Sequence, residues 1–284
     1  MADHKDDFAY CLDLLRRSDR DRYLACLLVP ETYRGAFAAL YAFNAEIARI
    51  RDVVRDPLPG ELRMQWWRDL ANGTAHGAAE ANPLASALLA TIEAHALPRA
   101  TFDSYIEART FDLYDDPMPD RTTFEGYAGE TVSAIIQLCA LVIAPAEAQA
   151  ASEAAGHAGV ALAVAGAIML LPLHSTRGQV YLPGDILSAT GLDRQSFLDR
   201  NRPTESARAI EAFADFGREH LKAARTASRT MPRELFAAFL PVAIAGPVLD
   251  RAAKKPADVL AGGVSVAQWR RQWMLWRAAS RRRF

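Results

Sequence analysis

Apolar residues recur three and four positions apart along nearly the whole chain, the spacing that lines one face of an α-helix. From Pro83, "PLASALLATIEAHAL" sets Leu84, Leu88 and Ile92 on one face, with Pro83 suited to a first helical turn. "TFDSYIEARTFDLY" brings Phe102, Tyr105, Ile106 and Leu113 together behind Thr101, a fair N-cap. "SARAIEAFADFGREHLKAAR" lines up Ala207, Ile210, Phe213, Gly217, Leu221 and Ala224. Strict alternation and Asn-Gly or Asp-Gly hairpin signals are almost absent, so strands are not expected.

The segment from Ala158 to Leu171, "AGVALAVAGAIMLL", is apolar on every side. It ends at Pro172, short of the roughly 18 residues that span a bilayer, and reads as a helix at the centre of a bundle. Gly159, Ala163 and Gly166 predict a close helix crossing along one side. Loops are expected at 56–61, 115–120, 174–179 and 253–258, none long enough to link domains. The pattern predicts an all-α chain, residues 1–284 in a single domain of about eight to ten helices.

Composition narrows the function. Of 284 residues 51% are hydrophobic and 24% charged, an ordinary soluble balance. The net charge of −1 argues against nucleic acid as a partner, which calls for a basic surplus. Cys11, Cys26 and Cys139 are scattered and odd in number, fitting neither a zinc site nor a disulfide framework, so a reducing compartment is expected. The acidic start "MADHKDDFAYC" resembles neither a secretory signal nor an Arg-rich transit peptide. Arginine outnumbers lysine 29 to 4, which points to a GC-rich bacterial genome.

Three places could carry chemistry. "AFNAEIARIRDVVRD", residues 42–56, ends in Asp52 and Asp56, four apart and on one face if the helix continues. Such a pair can hold Mg²⁺, but Arg51 and Arg55 flank it, and the alternative is a salt-bridged helix end closed by Pro57. A second acidic cluster holds Asp112, Asp115, Asp116 and Asp120, with Asp112 and Asp116 again four apart; metal binding and plain solvation are the two readings. His174 is a base, a phosphate contact or a structural histidine. No Walker loop, dinucleotide fingerprint or evident nucleophile–base–acid set is present. The tail, residues 264–284, puts Trp269, Trp273 and Trp276 on one helical face among six arginines. That suits membrane contact at an anionic surface, or a terminal helix docking its tryptophans on the core.

"YLACLLVPETYRGAFAALYAFNAEIARIRDVV", "RMQWWRDL" and "RGQVYLP", in that order, resemble the squalene/phytoene synthase superfamily from about residue 8 to 250. The resemblance implies an isoprenoid synthase-type helical bundle. In its enzymes two aspartate-rich helices hold Mg²⁺ and prenyl diphosphates across a cavity. The first aspartate motif falls on "RDVVRD" with Arg51 and Arg55 where aspartates stand, and Asp52 and Asp56 one step round the helix. The second falls on Leu170 and His174, in a segment without a carboxylate. The implied expectation is a degenerate metal site with no cofactor, Mg²⁺ entering only if the chain is an active prenyltransferase using Asp52, Asp56, Asp112 and Asp116. Arg51, Arg55, His174, Arg177 and Tyr181 would then grip a prenyl diphosphate or lipid phosphate as an anion.

Within the superfamily the pattern, with "QWRRQW" in the tail, resembles most the non-enzymatic branch that serves respiratory complex I assembly. That implies complex I subunits or assembly intermediates as partners, and a cytoplasmic, unsecreted protein peripheral at the inner membrane. A lipid- or prenyl-binding module is the remaining alternative.

Overall fold

The structure, a computed structural model, describes residues 4–74, 81–264 and 266–284. The first three residues of the acidic start and Ser265 of the tail lie outside the described residues. All regular structure among the described residues is helical. Fifteen α-helices follow one another among the described residues: α1 (Lys5–Ser18), α2 (Arg20–Leu28), α3 (Glu31–Val53), α4 (Pro57–Asn72), α5 (Pro83–Ala94), α6 (Arg99–Thr110), α7 (Arg121–Ala128), α8 (Ala134–Ile143), α9 (Ser152–Thr176), α10 (Gly184–Ala189), α11 (Arg194–Leu198), α12 (Pro203–Ala227), α13 (Ala245–Lys254), α14 (Pro256–Gly262) and α15 (Gln268–Arg281). The count exceeds the eight to ten expected because several periodic stretches are broken by one- or two-residue caps rather than by loops.

Two long helices organise the bundle. α3 is wrapped by α1, α5, α8, α2 and α4, and buries an unbroken run from Ala36 to Asn44. α9 lies along α12 and is flanked by α13, α14, α7 and the 3₁₀ segment Arg233–Ile244. As expected of a helix apolar on every side, α9 is at the centre of its half. It does not stop at Pro172, however, but runs on to Thr176. The proline ring is packed against Gly263 at the end of α14, which holds the turn closed despite the lost backbone bond. With the preceding 3₁₀ turn this makes a helix of 29 residues, Ala148–Thr176, not one too short to span. Arg121–Ile143 and Arg233–Lys254 are also long and apolar enough to cross a membrane by length and composition. In this fold all three pack together, with 56 to 72% of their most apolar windows buried.

Proline chemistry moves other boundaries. Pro57 does not end α3; it opens α4 as its first residue and forces Asp56 into extended backbone (φ −109°, ψ 149°). The expected loop at 56–61 is therefore mostly helix. Pro98 is the N-cap of α6, which starts at Arg99, two residues ahead of Thr101, whose amide already donates to the Pro98 carbonyl and whose side chain caps nothing. The expected loops at 174–179 and 253–258 shrink too, since α9 reaches Thr176 and only Lys255 separates α13 from α14.

The small side chains of α9 have two uses. At Gly159 a Cβ would stand 2.6 Å from the Ser133 amide nitrogen and 2.8 Å from its Cα, so this is the close crossing the sequence predicts. The partner is a π-helical turn, Gly129–Ser133, joining α7 to α8. Gly166 has nothing within 4 Å of such a Cβ. With Ala163 it leaves open space instead of closing a crossing. Gly159→Ala should therefore cost about 1–3 kcal/mol of unfolding free energy by overpacking. Gly166→Ala should be neutral or gain up to ~1 kcal/mol of helix propensity. Urea unfolding of the two variants checks the contrast.

Candidate functional site

α3 and α9 do not pack on one another along their length; between them lies a cavity of about 680 Å³. Its walls are apolar where the small residues of the two helices face it: Ala45 and Ala48 from α3, Ala163, Gly166 and Ala167 from α9. Leu162, Met169, Leu170, Leu173, Val132 and Ile244 complete them. Leu170 and Leu173 are 47% and 43% exposed, because they border empty space rather than neighbours.

A buried polar network forms one end. Asp112, in a 3₁₀ turn after α6, accepts hydrogen bonds from Arg109 Nη1 (3.1 Å), Tyr127 Oη (2.9 Å) and Tyr181 Oη (2.7 Å). Arg109 also donates to Tyr127 Oη (2.8 Å), Tyr105 Oη (3.3 Å) and Asn44 Oδ1 (3.4 Å), and its guanidinium lies over the rings of Tyr105 and Tyr127. Tyr105 Oη donates to Asn44 Oδ1 (2.9 Å), and Gln179 Nε2 donates to Tyr181 Oη (2.8 Å). Burial opposes the charge on Arg109, but Tyr105, Tyr127 and Asp112 outweigh it, so Arg109 stays a cation. Burial, reinforced by Asp112, raises the Tyr127 and Tyr181 hydroxyls well above the ordinary phenol range, so they act as neutral donors. His174 rests against the Tyr181 ring, 4.8 Å between centroids, and burial holds it neutral, with its pKa below the free-imidazole value.

Ion pairs line the rest. Arg177 binds Asp52 between the C-terminal ends of α9 and α3. Arg51 grips Asp115 through Nη2 (2.5 Å) and Nε (3.3 Å), holding that residue in a left-handed conformation (φ 54°). Asp19 caps α2 and binds Arg22, which is itself stacked over Tyr41. Asp21 pairs with Arg271 of α15 at 2.6 Å. Asp19, Asp21, Asp52 and Asp112 are the carboxylates lining the cavity, and each already has an arginine. Arg49 lines the wall without a counter-ion among the described residues.

The sequence-predicted residues separate accordingly. Arg51, Asp52, Asp112, Leu170, His174, Arg177 and Tyr181 all line the cavity. Arg55, Asp56 and Asp116 are exposed and outside it. Asp52 and Asp56 do not share a helix face, because α3 ends at Val53 and Asp56 precedes the first residue of α4. Asp112 and Asp116 do not either, because α6 ends at Thr110 and the chain turns at Asp115. Among the described residues no three His, Cys, Asp or Glu side chains converge as metal ligands. Mg²⁺ asks for carboxylate oxygens not already neutralised; the arginine-bound donors here do not fit that role. His4, Asp7 and Ser86 do meet, but His4 uses the same Nδ1 for both partners (3.1 Å each), so no proton relay from the serine through the ring is formed.

Arg109, Tyr127, Asn44 and Gln179 are absent from the sequence reading, which placed Tyr105 on a packing face only. Asn44 left a signal, an amide inside the otherwise apolar "ALYAFNA" of α3. Arg109 left another, standing four residues after Tyr105 and three before Asp112. Arg271, grouped by sequence with the tail arginines, instead reaches the cavity wall. The three tail tryptophans share a face as expected but do not dock on the core: Trp269, Trp273 and Trp276 are 65%, 51% and 59% exposed. Leu275 and Ala278 face inward in their place, and Phe284 stacks on Phe236 and Phe239.

The squalene/phytoene synthase family profile matches residues 15–277. Mouse NADH dehydrogenase (ubiquinone) complex I, assembly factor 6 is 32% identical over 81% of this chain and 69% of its own length; the human protein has the same identity and coverage. The Dictyostelium discoideum homolog of that factor is 23% identical over 87% of this chain and 70% of its own. Among solved structures, a dehydrosqualene synthase in complex with ligand superposes with a TM-score of 0.81 at 17% identity, covering 98% of this chain and 97% of that one. Squalene synthase HpnC from Alicyclobacillus acidocaldarius gives 0.72 at 19% identity, with 89% and 95% covered.

Asp112→Asn should cost about 3 kcal/mol or more, because it leaves the Arg109 cation buried beside a neutral amide. Asp52→Asn, at a half-exposed pair, should cost under ~1 kcal/mol. Denaturant unfolding measures both, and equal losses at the two sites would contradict the assignment of Asp112 as the anchor.

Proposed function

The chain belongs to the squalene/phytoene synthase family, and we propose that within it the protein is a catalytically degenerate member that assists assembly of respiratory complex I at the membrane. One structural observation carries the loss of catalysis. Every carboxylate lining the cavity is engaged by an arginine, and position 174, where the resemblance expects a metal-binding aspartate, is a histidine held neutral. Ionising an allylic diphosphate needs metal or equivalent charge stabilisation of the leaving group. On this reading no Mg²⁺ is required.

The assembly role is supported by relatives at 32% identity that carry that function in their names. Partners are then complex I subunits or assembly intermediates. The exposed tryptophans of α15, with Arg270 over Trp269 and Arg277 over Trp273, support action at a membrane surface: rings enter the interface and guanidinium groups meet anionic headgroups. The protein is peripheral on this reading, since the three long apolar segments cover one another. A second reading is favoured by the open cavity, whose volume suits a small ligand: a lipid or prenyl chain held without turnover.

Purified protein given farnesyl or geranylgeranyl diphosphate with Mg²⁺ should release no diphosphate. In cells lacking the gene, assembled complex I on native gels should fall several-fold. The wild-type chain and Asp52→Asn should restore it equally. Turnover abolished by Asp52→Asn would overturn the non-enzymatic reading. Undiminished complex I in the deletion would overturn the assembly role. Trp269→Ala with Trp273→Ala should weaken binding to anionic vesicles by about thirtyfold or more, each ring burying apolar surface worth ~1 kcal/mol or more.

A further inference from the structure

His157 of α9 and His220 of α12 face each other away from the cavity. His157 lies 17 residues before His174, about 25 Å along the helix axis, and neither His157 nor His220 lines the cavity. Their Nδ1 atoms are 3.0 Å apart, and their rings are tilted by 52° with centroids 5.1 Å apart. Nε2 of His220 faces the Glu125 carboxylate of α7 at 3.2 Å. Phe216, one turn earlier on α12, packs edge-on against the His220 ring at 4.8 Å. The His220 side chain is only 14% exposed, so its ring is fixed from three sides.

This contact constrains the protons. Glu125 accepts from Nε2 of His220, so that nitrogen carries the hydrogen and Nδ1 presents a bare lone pair. Nε2 of His157 has no protein partner among the described residues and is free to carry the hydrogen of its ring. With its hydrogen on Nδ1 instead, His157 donates to Nδ1 of His220 and the contact closes as an ordinary hydrogen bond; with it on Nε2, both Nδ1 lone pairs face the gap, where a cation can take the place of the shared proton. Burial and the neighbouring His157 work against a proton on His220, lowering its pKa despite Glu125 and Glu219 nearby.

We propose that His157 and His220 form a two-histidine site for a borderline divalent transition ion such as Zn²⁺, with Glu125 behind His220 as the carboxylate that orients the ligand. Two imidazole nitrogens on a tetrahedral centre at 2.0–2.1 Å stand about 3.3 Å apart, so the pair has to open by a few tenths of an ångström and turn its rings until both lone pairs converge on the ion. A carboxylate on the far nitrogen of a ligating histidine is the usual outer partner of such sites. α9 and α12 are packed along their length and supply a rigid frame, and solvent fills the remaining positions. The site is independent of the proposed assembly role.

The test is isothermal titration of Zn²⁺ into tag-free, metal-stripped full-length protein, followed by X-ray absorption of the loaded protein. One equivalent should bind, with two imidazole nitrogens at 2.0–2.1 Å. Glu125→Gln should weaken binding by ~10-fold or more. His157→Gln and His220→Gln should each weaken it further, with folding checked by circular dichroism. No binding by wild type, binding unchanged in folded histidine variants, or fewer than two nitrogens at the metal would each overturn the proposal. The absorption measurement needs no variant, so it decides the matter even if the histidine substitutions fail to fold.

Discussion

The buried Asp112–Arg109 pair is the constraint on which the architecture turns. A charge taken out of water is tolerated only when its hydrogen-bonding capacity is met. Here that demand recruits Asn44 from α3, Tyr105 from α6, Tyr127 from α7 and Tyr181 from the stretch after α9. Four elements distant in sequence converge because one carboxylate and one guanidinium must be satisfied together. The network also fixes the spacing between α3 and α9, since it fills the end of the gap between them with polar atoms that cannot collapse like an apolar core. The open volume beyond it follows from that spacing and from the small side chains that line it.

The same pairing principle explains what the cavity can and cannot do. A metal–diphosphate clamp works because several carboxylates sit close together, uncompensated until the cation arrives. In this chain arginines have taken that neutralising role permanently: Arg177 on Asp52, Arg51 on Asp115, Arg22 on Asp19 and Arg271 on Asp21. Each guanidinium is a fixed cation at any accessible pH. The cavity therefore presents closed ion pairs and, among the described residues, one cation without a counter-ion, Arg49, at its wall. Any anion binding there competes with an internal carboxylate, except at Arg49.

Much of this was legible in the sequence, and the misses share a cause. Periodicity located the core faces of α5, α6 and α12 and the central position of α9, because burial of one stripe is a local property. Pro57 was read as a terminator when it is an initiator; the residue that cannot donate a hydrogen bond is costless at a helix start, and only the neighbouring cap distinguishes the two uses. The acidic pairs at spacing four failed for the same reason, since the helices end at Val53 and Thr110, before the second member of each pair. Arg51, Asp52, His174, Arg177 and Tyr181 were legible as a group through family resemblance. Arg109 and Asn44 left only a faint local signal, because the contact that joins α3 to this network spans 61 to 65 residues.

α15 draws the surface and the interior together. Its outer face is the exposed tryptophan row, and its inner face carries Arg271, the partner of Asp21 on the cavity wall. This ion pair is incompletely satisfied: Oδ1 of Asp21 and Nε of Arg271 are buried without a hydrogen-bond partner. Burial accordingly raises the Asp21 carboxyl above its ordinary value even with Arg271 beside it. A pair held at such a disadvantage persists because the helix is pinned elsewhere, by Phe284 stacked on Phe236 and Phe239 and by Arg225 bonding the Phe284 carbonyl at 2.9 Å. The helix that presents aromatic rings to the outside is thus anchored at its far end and joined to the cavity wall through the Asp21–Arg271 pair.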